Sequence, residues 1–384
     1  MQKTIHLSNK LLFLYLKTGG GHLAPAKALT DWITQHKDRK AEIDLCDGFN
    51  GVFPFVKWII EDGYKHSQAK GKWIFELLYA VHKIKFFAHL TSWLVSIFVT
   101  PTLERRILTT NPSKIIIFHF FLIKPVQRII KRKGLKIPVL TVVTDPFTAH
   151  PIWFLERNQH FVVFSSQLKQ YLETVENVEP SKISVFPFIV NPKFSKPLDP
   201  DDQYSLREKL GLIQNSKIIL LLGGGDGIPH GEKLLKNLAK SNLEADVVIV
   251  CGRNTSLFRK ALRIKVRYNF ERLKVLGFID YVYELLSISE VVITKCGAST
   301  FSEVLLCGKI PLVNSYIWEQ ERGNVDFIKE NGMGVYEPNP KRIANLAREI
   351  IGSNEYNGWF KQNIQRMGLS NGTPLVSDFI LQFN

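Results

Sequence analysis

The chain is dominated by short, continuous apolar runs. Glycine loops, and stretches in which apolar residues recur at helical spacing, separate these runs. Runs of this length and composition predict buried strands. They lie at residues 11–16, 114–118, 138–144, 160–164, 217–222, 247–250 and 291–294. Strands that are apolar throughout and alternate with helices are typical of a parallel sheet covered on both faces. A length of 384 residues predicts two such α/β domains.

A glycine loop follows the first predicted strand. It reads Gly19, Gly20, Gly21 and then His22, and Pro25 is expected in the first turn of the next helix. Glycines let backbone N–H groups approach a ligand at a helix N-terminus, although a simple tight turn needs them too. The positive helix end keeps His22 neutral, so the ring is a candidate general base. A capping or packing histidine is the alternative.

Two further candidates follow the strand at 138–144. Asp145 and His150 are expected near the carboxyl end of that strand, where open α/β sheets bind ligands. We interpret Asp145 as a group that orients a base or an acceptor, or else as an Asx cap before Pro146. His150 is the next candidate if His22 is not the base.

The second half repeats the strand–glycine loop–helix unit at 223–227, where Gly224 is a candidate donor-binding position. Gly297, Ser299 and Thr300 end another strand and begin a helix, which is a typical anion site for a diphosphate. Glu303 is expected on the first turn of that helix, where it either accepts two ribose hydroxyls or completes a capping box. Lys295 is either a phosphate-binding cation or a solvated charge.

Residues 52–103 depart from the α/β pattern. They are rich in aromatic, apolar and basic side chains, including Trp58, Trp73 and Trp93, and Pro101 is expected to end the last helix. The uncharged stretch 86–100 is shorter than the roughly 20 residues that a membrane span needs. The segment therefore predicts helices that lie in a membrane interface, with an ordinary core helix pair as the alternative.

Charge and cysteine content limit the classes of partner and of site that the protein can have. The chain carries 50 Lys and Arg residues against 35 Asp and Glu, a net charge of +15, and residues 1–190 hold 25 of the basic and 14 of the acidic ones. A basic first half favours an anionic partner such as a membrane surface, and no nucleic-acid motif accompanies it. Four dispersed cysteines predict neither disulfides nor a metal site. Four prolines at 187–200 predict a linker at 191–202, between domains 1–190 and 203–384. Return of the last helix to the first domain is kept as an option.

In order along residues 11–336, the sequence resembles the monogalactosyl- and glucosyl-diacylglycerol synthases, which are similar to the N-acetylglucosaminyltransferase that makes lipid II. These residues carry the resemblance: Gly19 to His22 with Pro25, Thr144 and Asp145 with His150 and Trp153, Gly277 and Phe278 with Asp280, Thr294 and Lys295 with Gly297 and Thr300, Glu303 with Gly308, and Gln320 and Glu321 with Gly323 and Asn324.

The resemblance implies a GT-B glycosyltransferase fold, two Rossmann-like domains with a cleft between them. It implies an inverting enzyme that transfers a hexose from a UDP-sugar to a lipid hydroxyl, with diacylglycerol as the expected acceptor, without a cofactor or metal. His22 would be the base. Phe278 would lie beside uracil, Glu303 would hold the ribose, and Gly297, Ser299 and Thr300 would face the diphosphate. Gln320, Glu321 and Asn324 would contact the sugar or a phosphate. The enzyme would sit peripherally on the cytoplasmic face of an anionic membrane.

Three departures and three alternatives accompany this resemblance. Trp318-Glu319 replaces the usual Pro-Gly before Gln320, Ala298-Ser299 replaces another Pro-Gly, and Arg322 replaces an acidic residue. The choice among glucose, galactose and N-acetylglucosamine therefore stays open. The alternatives are an N-acetylglucosaminyl transfer to a polyprenyl-linked acceptor, a UDP-sugar epimerase, and a non-catalytic UDP-sugar-binding protein.

Overall fold

The computed structural model describes residues 10–36, 41–58, 60 and 72–384. The chain divides into two compact units. Unit 1 comprises residues 1–191 and 371–384, and unit 2 comprises residues 192–370.

Unit 1 is a parallel sheet with helices on both faces. Its strands are β1 (Lys10–Tyr15), β2 (Glu42–Asp47), β3 (Lys114–Ile117), β4 (Val139–Val142), β5 (His160–Val163) and β6 (Ile183–Val185). Its helices are α1 (Gly20–Gln35), α2 (Pro54–Lys57), α3 (Lys72–Lys83), α4 (Lys85–Thr110), α5 (Ile123–Lys133), α6 (Ser166–Thr174) and α15 (Thr373–Gln382). Short 3-10 turns lie at Phe120–Leu122, Pro151–Phe154 and Pro180–Lys182.

The strand order in unit 1 is β2-β1-β3-β4-β5-β6, and every pairing is parallel. Two apolar cores cover the sheet, because alternate strand residues point to opposite faces. One core joins the sheet to α4 and α5, and the other joins it to α1 and α15. The order reverses between β1 and β3, and such a switch point is where doubly wound sheets bind ligands.

Unit 2 has the same architecture. Its strands are β7 (Ile218–Leu222), β8 (Asp246–Val250), β9 (Leu273–Leu276), β10 (Val291–Lys295), β11 (Ile310–Ser315) and β12 (Val335–Tyr336). Its helices are α7 (Pro200–Lys209), α8 (Gly231–Leu238), α9 (Thr255–Arg267), α10 (Val282–Ile288), α11 (Ala298–Leu306), α12 (Trp318–Glu330), α13 (Pro340–Gly352) and α14 (Asn354–Arg366). The parallel order β12-β11-β10-β7-β8-β9 places its switch point between β7 and β10.

Two local predictions were wrong. Helix α1 begins at Gly20, so Pro25 lies inside the helix instead of in its first turn. Helix α4 continues through Pro101 to Thr110, because burial of one side of the helix outweighs the loss of the single N–H donor that a proline removes. Within the predicted linker, a 3-10 turn covers Pro192–Ser195, and α7 begins at Pro200.

Candidate functional sites in the two units

The glycine loop and His22 lie at the switch point of unit 1. The loop leaves the carboxyl end of β1, and α1 begins at Gly20 with Gly19 as its N-cap. Only Gly19 has a left-handed backbone, with φ of 140°, and no atom lies within 4 Å of where a Cβ would stand at any of the three glycines. Neither backbone conformation nor packing therefore requires glycine at 20 and 21. No side chain caps the N-terminus of α1, so its first N–H groups are available to an anion.

His22 is held by two contacts to one ring nitrogen. Its Nδ1 lies 2.8 Å from the Phe118 carbonyl oxygen and 2.8 Å from the Thr144 hydroxyl. A carbonyl oxygen only accepts hydrogen bonds, so the proton of the neutral ring is assigned to Nδ1 and the lone pair to Nε2. Burial lowers the pKa of His22 to about 4, although the hydrogen bond to Phe118 opposes the shift. The ring is neutral at pH 7 and can accept a proton at Nε2.

Asp145 does not orient this base. Its Oδ2 accepts a hydrogen bond of 2.9 Å from the Trp153 indole Nε1, and both side chains are buried. The Trp153 ring lies 6.2 Å from the His22 ring. Thr144 and the Phe118 carbonyl orient His22 instead, so the expected role of Asp145 toward the base is corrected to holding Trp153, while its role toward an acceptor stays a prediction.

His150 is used within the fold. Its Nδ1 accepts a hydrogen bond from the Ile152 N–H at 3.1 Å, which caps the turn Pro151–Phe154. Nδ1 then carries the lone pair, and Nε2–H donates to the Tyr79 carbonyl at 3.2 Å. Both ring nitrogens are occupied, which corrects the expectation that His150 could replace His22 as the base.

His119 is a site residue that the sequence reasoning did not select. It follows β3 directly, on the other side of the switch point, and only 2% of it is exposed. Its ring centroid lies 4.5 Å from that of His22. Its position after a predicted strand was the available signal, since the carboxyl ends of neighbouring strands meet at one edge.

The switch point of unit 2 pairs a second glycine loop with a helix N-terminus. Gly224 has φ of 77°, and a Cβ at Gly223 would stand 2.3 Å from the Ile228 Cα. Gly223 is therefore required for packing, whereas the space around Gly224 is open. Across the switch point, α11 begins at Ala298 with Gly297 as its N-cap and without a side-chain cap. The first-turn N–H groups of Ser299 and Thr300 are therefore available to an anion.

Glu303 lies in the second turn of α11, so the capping-box alternative is wrong, as is its expected place in the first turn. Loss of hydration raises the pKa of its carboxyl group to about 8, and the Lys193 charge only partly opposes this shift. No side chain in the described part of the chain donates a hydrogen bond to this carboxyl group. A poorly solvated carboxyl group of this kind binds hydroxyl donors readily once it ionises.

Lys295 and Glu321 form an internal ion pair. The Lys295 Nζ lies 3.4 Å from the Glu321 Oε1, and Oε2 accepts a 2.7 Å hydrogen bond from the Ile317 N–H. Both oxygens of Glu321 are thus engaged, so it positions Lys295 and the start of α12. Asn324 is buried and donates from Nδ2 to the Cys296 carbonyl at 2.9 Å, while its Oδ1 has no partner among the described residues.

The loop before Gln320 takes an unusual conformation. Gln320 lies in the first turn of α12, which begins at Trp318, and Trp318 has φ of 35°. Proline fixes φ near −65°, so a proline at 318 could not adopt this backbone. The replacement of Pro-Gly by Trp318-Glu319 therefore changes the loop conformation.

Phe278 presents an aromatic face to solvent just after β9. It is 61% exposed, and the Arg253 guanidinium lies 4.8 Å from the centre of its ring. The Arg253 N–H also donates to the Gly225 carbonyl at 2.7 Å, which connects this aromatic residue to the glycine loop. Stacked aromatic and guanidinium groups suit a planar base. Sequence reasoning found Phe278 but missed Arg253.

An apolar strip runs along α4 in unit 1. We use this name for the exposed side chains at i, i+3 and i+4 spacing, which are Phe86, Phe87, Leu90, Trp93, Leu94, Ile97 and Phe98. The opposite face of α4, with Ala88, Ser92 and Val95, is buried. Trp58 is 56% exposed and stacks near Phe55. Trp73 lies in α3, and its side chain is outside the described residues.

Helix α4 is long and apolar enough to cross a membrane, with 39% of its apolar window buried in the protein. Within the described ranges, no group of three or more His, Cys, Asp or Glu side chains comes together as a metal site.

Comparisons with known proteins agree with these two units. Residues 22–190 match the monogalactosyldiacylglycerol (MGDG) synthase family, and residues 218–349 match the glycosyltransferase family 28 C-terminal domain. A probable monogalactosyldiacylglycerol synthase of Nicotiana tabacum is 29% identical over 89% of this chain and 64% of its own length. A processive diacylglycerol beta-glucosyltransferase of Bacillus pumilus is 26% identical over 98% of this chain and 96% of its own length. The chain thus spans just under two thirds of the tobacco relative.

Solved structures share the fold. MurG of Acinetobacter baumannii is 17% identical over 97% of this chain and 99% of its own, with a TM-score of 0.62. A UDP-GlcNAc 2-epimerase of Neisseria meningitidis is 12% identical over 97% of this chain and 100% of its own, with a TM-score of 0.65.

Two parallel six-stranded sheets, each with a glycine loop at its switch point, make up a fold of the GT-B class. Over most of its length, the chain is similar to the monogalactosyldiacylglycerol synthases and to the processive diacylglycerol glucosyltransferases.

Proposed function

We propose that this protein transfers a hexose from a UDP-sugar to a hydroxyl group of diacylglycerol, with inversion at the anomeric carbon. The observation that carries the proposal is the fixed tautomer of His22, which presents a neutral Nε2 lone pair at the switch point of unit 1. A lipid hydroxyl is too weak an acid to ionise at pH 7, so its attack on a sugar needs such a base.

The reaction is one displacement. The acceptor oxygen attacks C1 of the hexose while its proton passes to the His22 Nε2. The bond between C1 and the β-phosphate oxygen breaks, and its electron pair leaves with UDP. In this proposal, the N-terminus of α11 and the ammonium group of Lys295 stabilise the diphosphate as its negative charge grows.

The donor site in this proposal uses unit 2. Phe278 and Arg253 stack on uracil, Glu303 accepts the ribose hydroxyls, and Gly224, Gly297, Ser299 and Thr300 approach the diphosphate through the backbone. Gln320 contacts the sugar, whereas the enclosed Asn324 serves this site indirectly, by donating to the Cys296 carbonyl. Glu321 serves this site indirectly, by holding Lys295.

No metal ion is needed in this mechanism, because the helix N-terminus and Lys295 supply the positive charge that a divalent cation supplies elsewhere. Turnover is therefore expected to be the same with excess EDTA as with added Mg²⁺ or Mn²⁺.

The apolar strip supports attachment to the membrane interface, where diacylglycerol resides. Buried in lipid, these side chains would each contribute on the order of 1 kcal/mol or more. The excess of basic residues in residues 1–190 supports binding to an anionic membrane surface. In a cell, that surface is the cytoplasmic leaflet. Only part of the apolar window of α4 is free of protein contacts, which favours interfacial attachment over a span.

The deciding experiment is a product assay. Purified protein is mixed with anionic vesicles that contain either diacylglycerol or a polyprenyl-linked sugar, and with UDP-glucose, UDP-galactose or UDP-N-acetylglucosamine. Mass spectrometry of the lipids should show a hexosyl-diacylglycerol from one donor. A product on the polyprenyl lipid alone would identify the other acceptor, and an altered UDP-sugar without a lipid product would indicate an epimerase.

A further inference from the structure

Two buried histidines flank the switch point of unit 1 and differ in the nitrogen that carries the proton. In His22, Nδ1 carries the proton because it donates to the Phe118 carbonyl. In His119, the Phe121 N–H donates to Nδ1 at 3.2 Å, so Nδ1 carries the lone pair and Nε2 carries the proton. One ring presents an acceptor at Nε2, and its neighbour presents a donor at Nε2.

Both rings are neutral at pH 7. Burial lowers the pKa of each one, and a charge on His22 would lower that of His119 further. Neither Nε2 atom bonds a described residue. Only 8% of His22 and 2% of His119 are exposed, so an acceptor oxygen placed between the two Nε2 atoms would be largely shielded from water.

The surroundings hold the two rings rigidly. Their centroids are 4.5 Å apart, and Trp153 lies 6.2 Å from His22 and 6.4 Å from His119. The hydrogen bond to Asp145 fixes Trp153 in turn. Asp145 and Trp153 thus position the pair, which explains a buried carboxylate that does not contact His22.

We propose that His119 is a second catalytic residue, which donates a hydrogen bond from Nε2 to the acceptor oxygen while that oxygen donates its own proton to the His22 Nε2. This inference rests on the proposed function and adds to it. A hydroxyl bound by both rings has a fixed rotamer, with one lone pair taken by His119 and the other directed away from both rings toward the sugar. Orientation of this kind raises the rate by removing unproductive orientations of the acceptor.

The step keeps the same balance of atoms as before. The proton moves from the acceptor oxygen to His22, and His119 keeps its proton throughout. His119 thus contributes binding and orientation, without acid or base chemistry.

Two substitutions separate this role from a structural one. In His119→Asn, the amide oxygen can still accept the Phe121 N–H, but the donor at the Nε2 position is lost. In His119→Gln, the amide nitrogen reaches toward the Nε2 position, but the cap of the turn Phe120–Leu122 is lost. His160→Asn is the matched control, since this half-buried histidine hydrogen-bonds Ser184 on β6 and is not at the switch point.

The assay measures glycolipid formation, UDP-sugar hydrolysis by water, UDP binding and melting temperature for all four proteins. We expect His119→Asn to lower kcat/KM for the lipid acceptor by 10- to 100-fold, as the loss of a hydrogen bond of about 1.4 to 2.7 kcal/mol does. Its melting temperature, UDP affinity and slow hydrolysis should match the wild type. His119→Gln should keep more lipid transfer than His119→Asn even if it melts earlier, and His160→Asn should transfer normally.

Equal lipid transfer by wild type and His119→Asn would overturn the inference and leave the proposed function intact. A loss of lipid transfer and hydrolysis in equal proportion would also overturn it, because a structural defect does not select between acceptors. Absence of glycolipid from the wild-type reaction would overturn the proposed function itself.

Discussion

Glu303 is expected to make nucleoside binding depend on pH. Its carboxyl group has a pKa of about 8 in the free protein, so most of it is protonated at neutral pH. A carboxylate accepts hydrogen bonds from two ribose hydroxyls, which favours the ionised form and lowers its pKa on binding. Binding should therefore release a proton, and affinity should rise with pH until the pKa of the free protein is passed.

The magnitude follows from that pKa. At pH 6, two units below it, about one free molecule in a hundred carries the carboxylate, which weakens binding roughly 100-fold or ~2.7 kcal/mol relative to high pH. At pH 7 the factor is about ten. Between pH 6 and 7 the affinity should thus change nearly tenfold per unit, and about one proton should be released for each nucleoside bound.

Isothermal titration calorimetry with uridine measures both quantities, and uridine has no phosphate whose own titration would interfere. Titrations from pH 5.5 to 8.5, in pairs of buffers with different ionisation enthalpies, give the affinity and the number of protons released. Glu303→Gln is the matched variant, because its amide keeps the size of the side chain and does not ionise. It should bind uridine with the same affinity across this range and release no proton.

The reasoning is refuted if wild-type affinity is constant from pH 6 to 8, or if Glu303→Gln keeps the same slope. 2′-Deoxyuridine, which lacks one of the two hydroxyls, tests the contact separately. It should bind more weakly than uridine to the wild type above pH 8 and show a smaller difference with Glu303→Gln.

Three further predictions concern the base and the membrane. His22→Ala should lower lipid transfer by about 10²- to 10⁴-fold in a product assay and leave calorimetric UDP binding unchanged; weaker UDP binding would contradict its assignment to the acceptor side. Because the pKa of His22 is about 4, kcat at saturating donor should stay level as the pH falls to about 5 and decline only as it passes through 4, whereas a decline near 6.5 would mean a solvated base. Replacing Trp93 and Phe98 by serine should reduce sedimentation with anionic vesicles without lowering the melting temperature, since both side chains are about half exposed; His160→Asn, away from the apolar strip, is the control.

Much of the architecture is predictable from the sequence because parallel strands buried on both faces appear as uninterrupted apolar runs. The runs at 11–16 and 217–222 match β1 and β7 to within one residue at each end, and the glycine loops after them lie at the two switch points. Residue order along the chain is enough to predict such loops. Order alone does not give the pairing of β1 with β3, which brings His119 beside His22.

The details that were mispredicted depend on tertiary contacts. From sequence alone, a histidine before a proline can be a base or a helix cap. For His150, the contact of Nε2 with the distant Tyr79 carbonyl occupies the ring nitrogen that the cap leaves over. Arg253 lacks any motif, and only the fold brings it to Phe278. Pro101 is a helix breaker by propensity, but burial of one side of α4 outweighs the loss of one hydrogen bond.

The chain order of the two units has a consequence for biosynthesis. Unit 2 is one continuous segment inserted into unit 1, and Val376 and Ile380 of α15 belong to a core that otherwise consists of residues before 190. The Lys114 ammonium group also donates to the carbonyls of Ile380 and Leu381. During translation, α4 with its apolar strip is therefore made long before the last helix can close the core of unit 1. The nascent unit 1 must wait, with one face of its sheet incompletely covered, while all of unit 2 is synthesised.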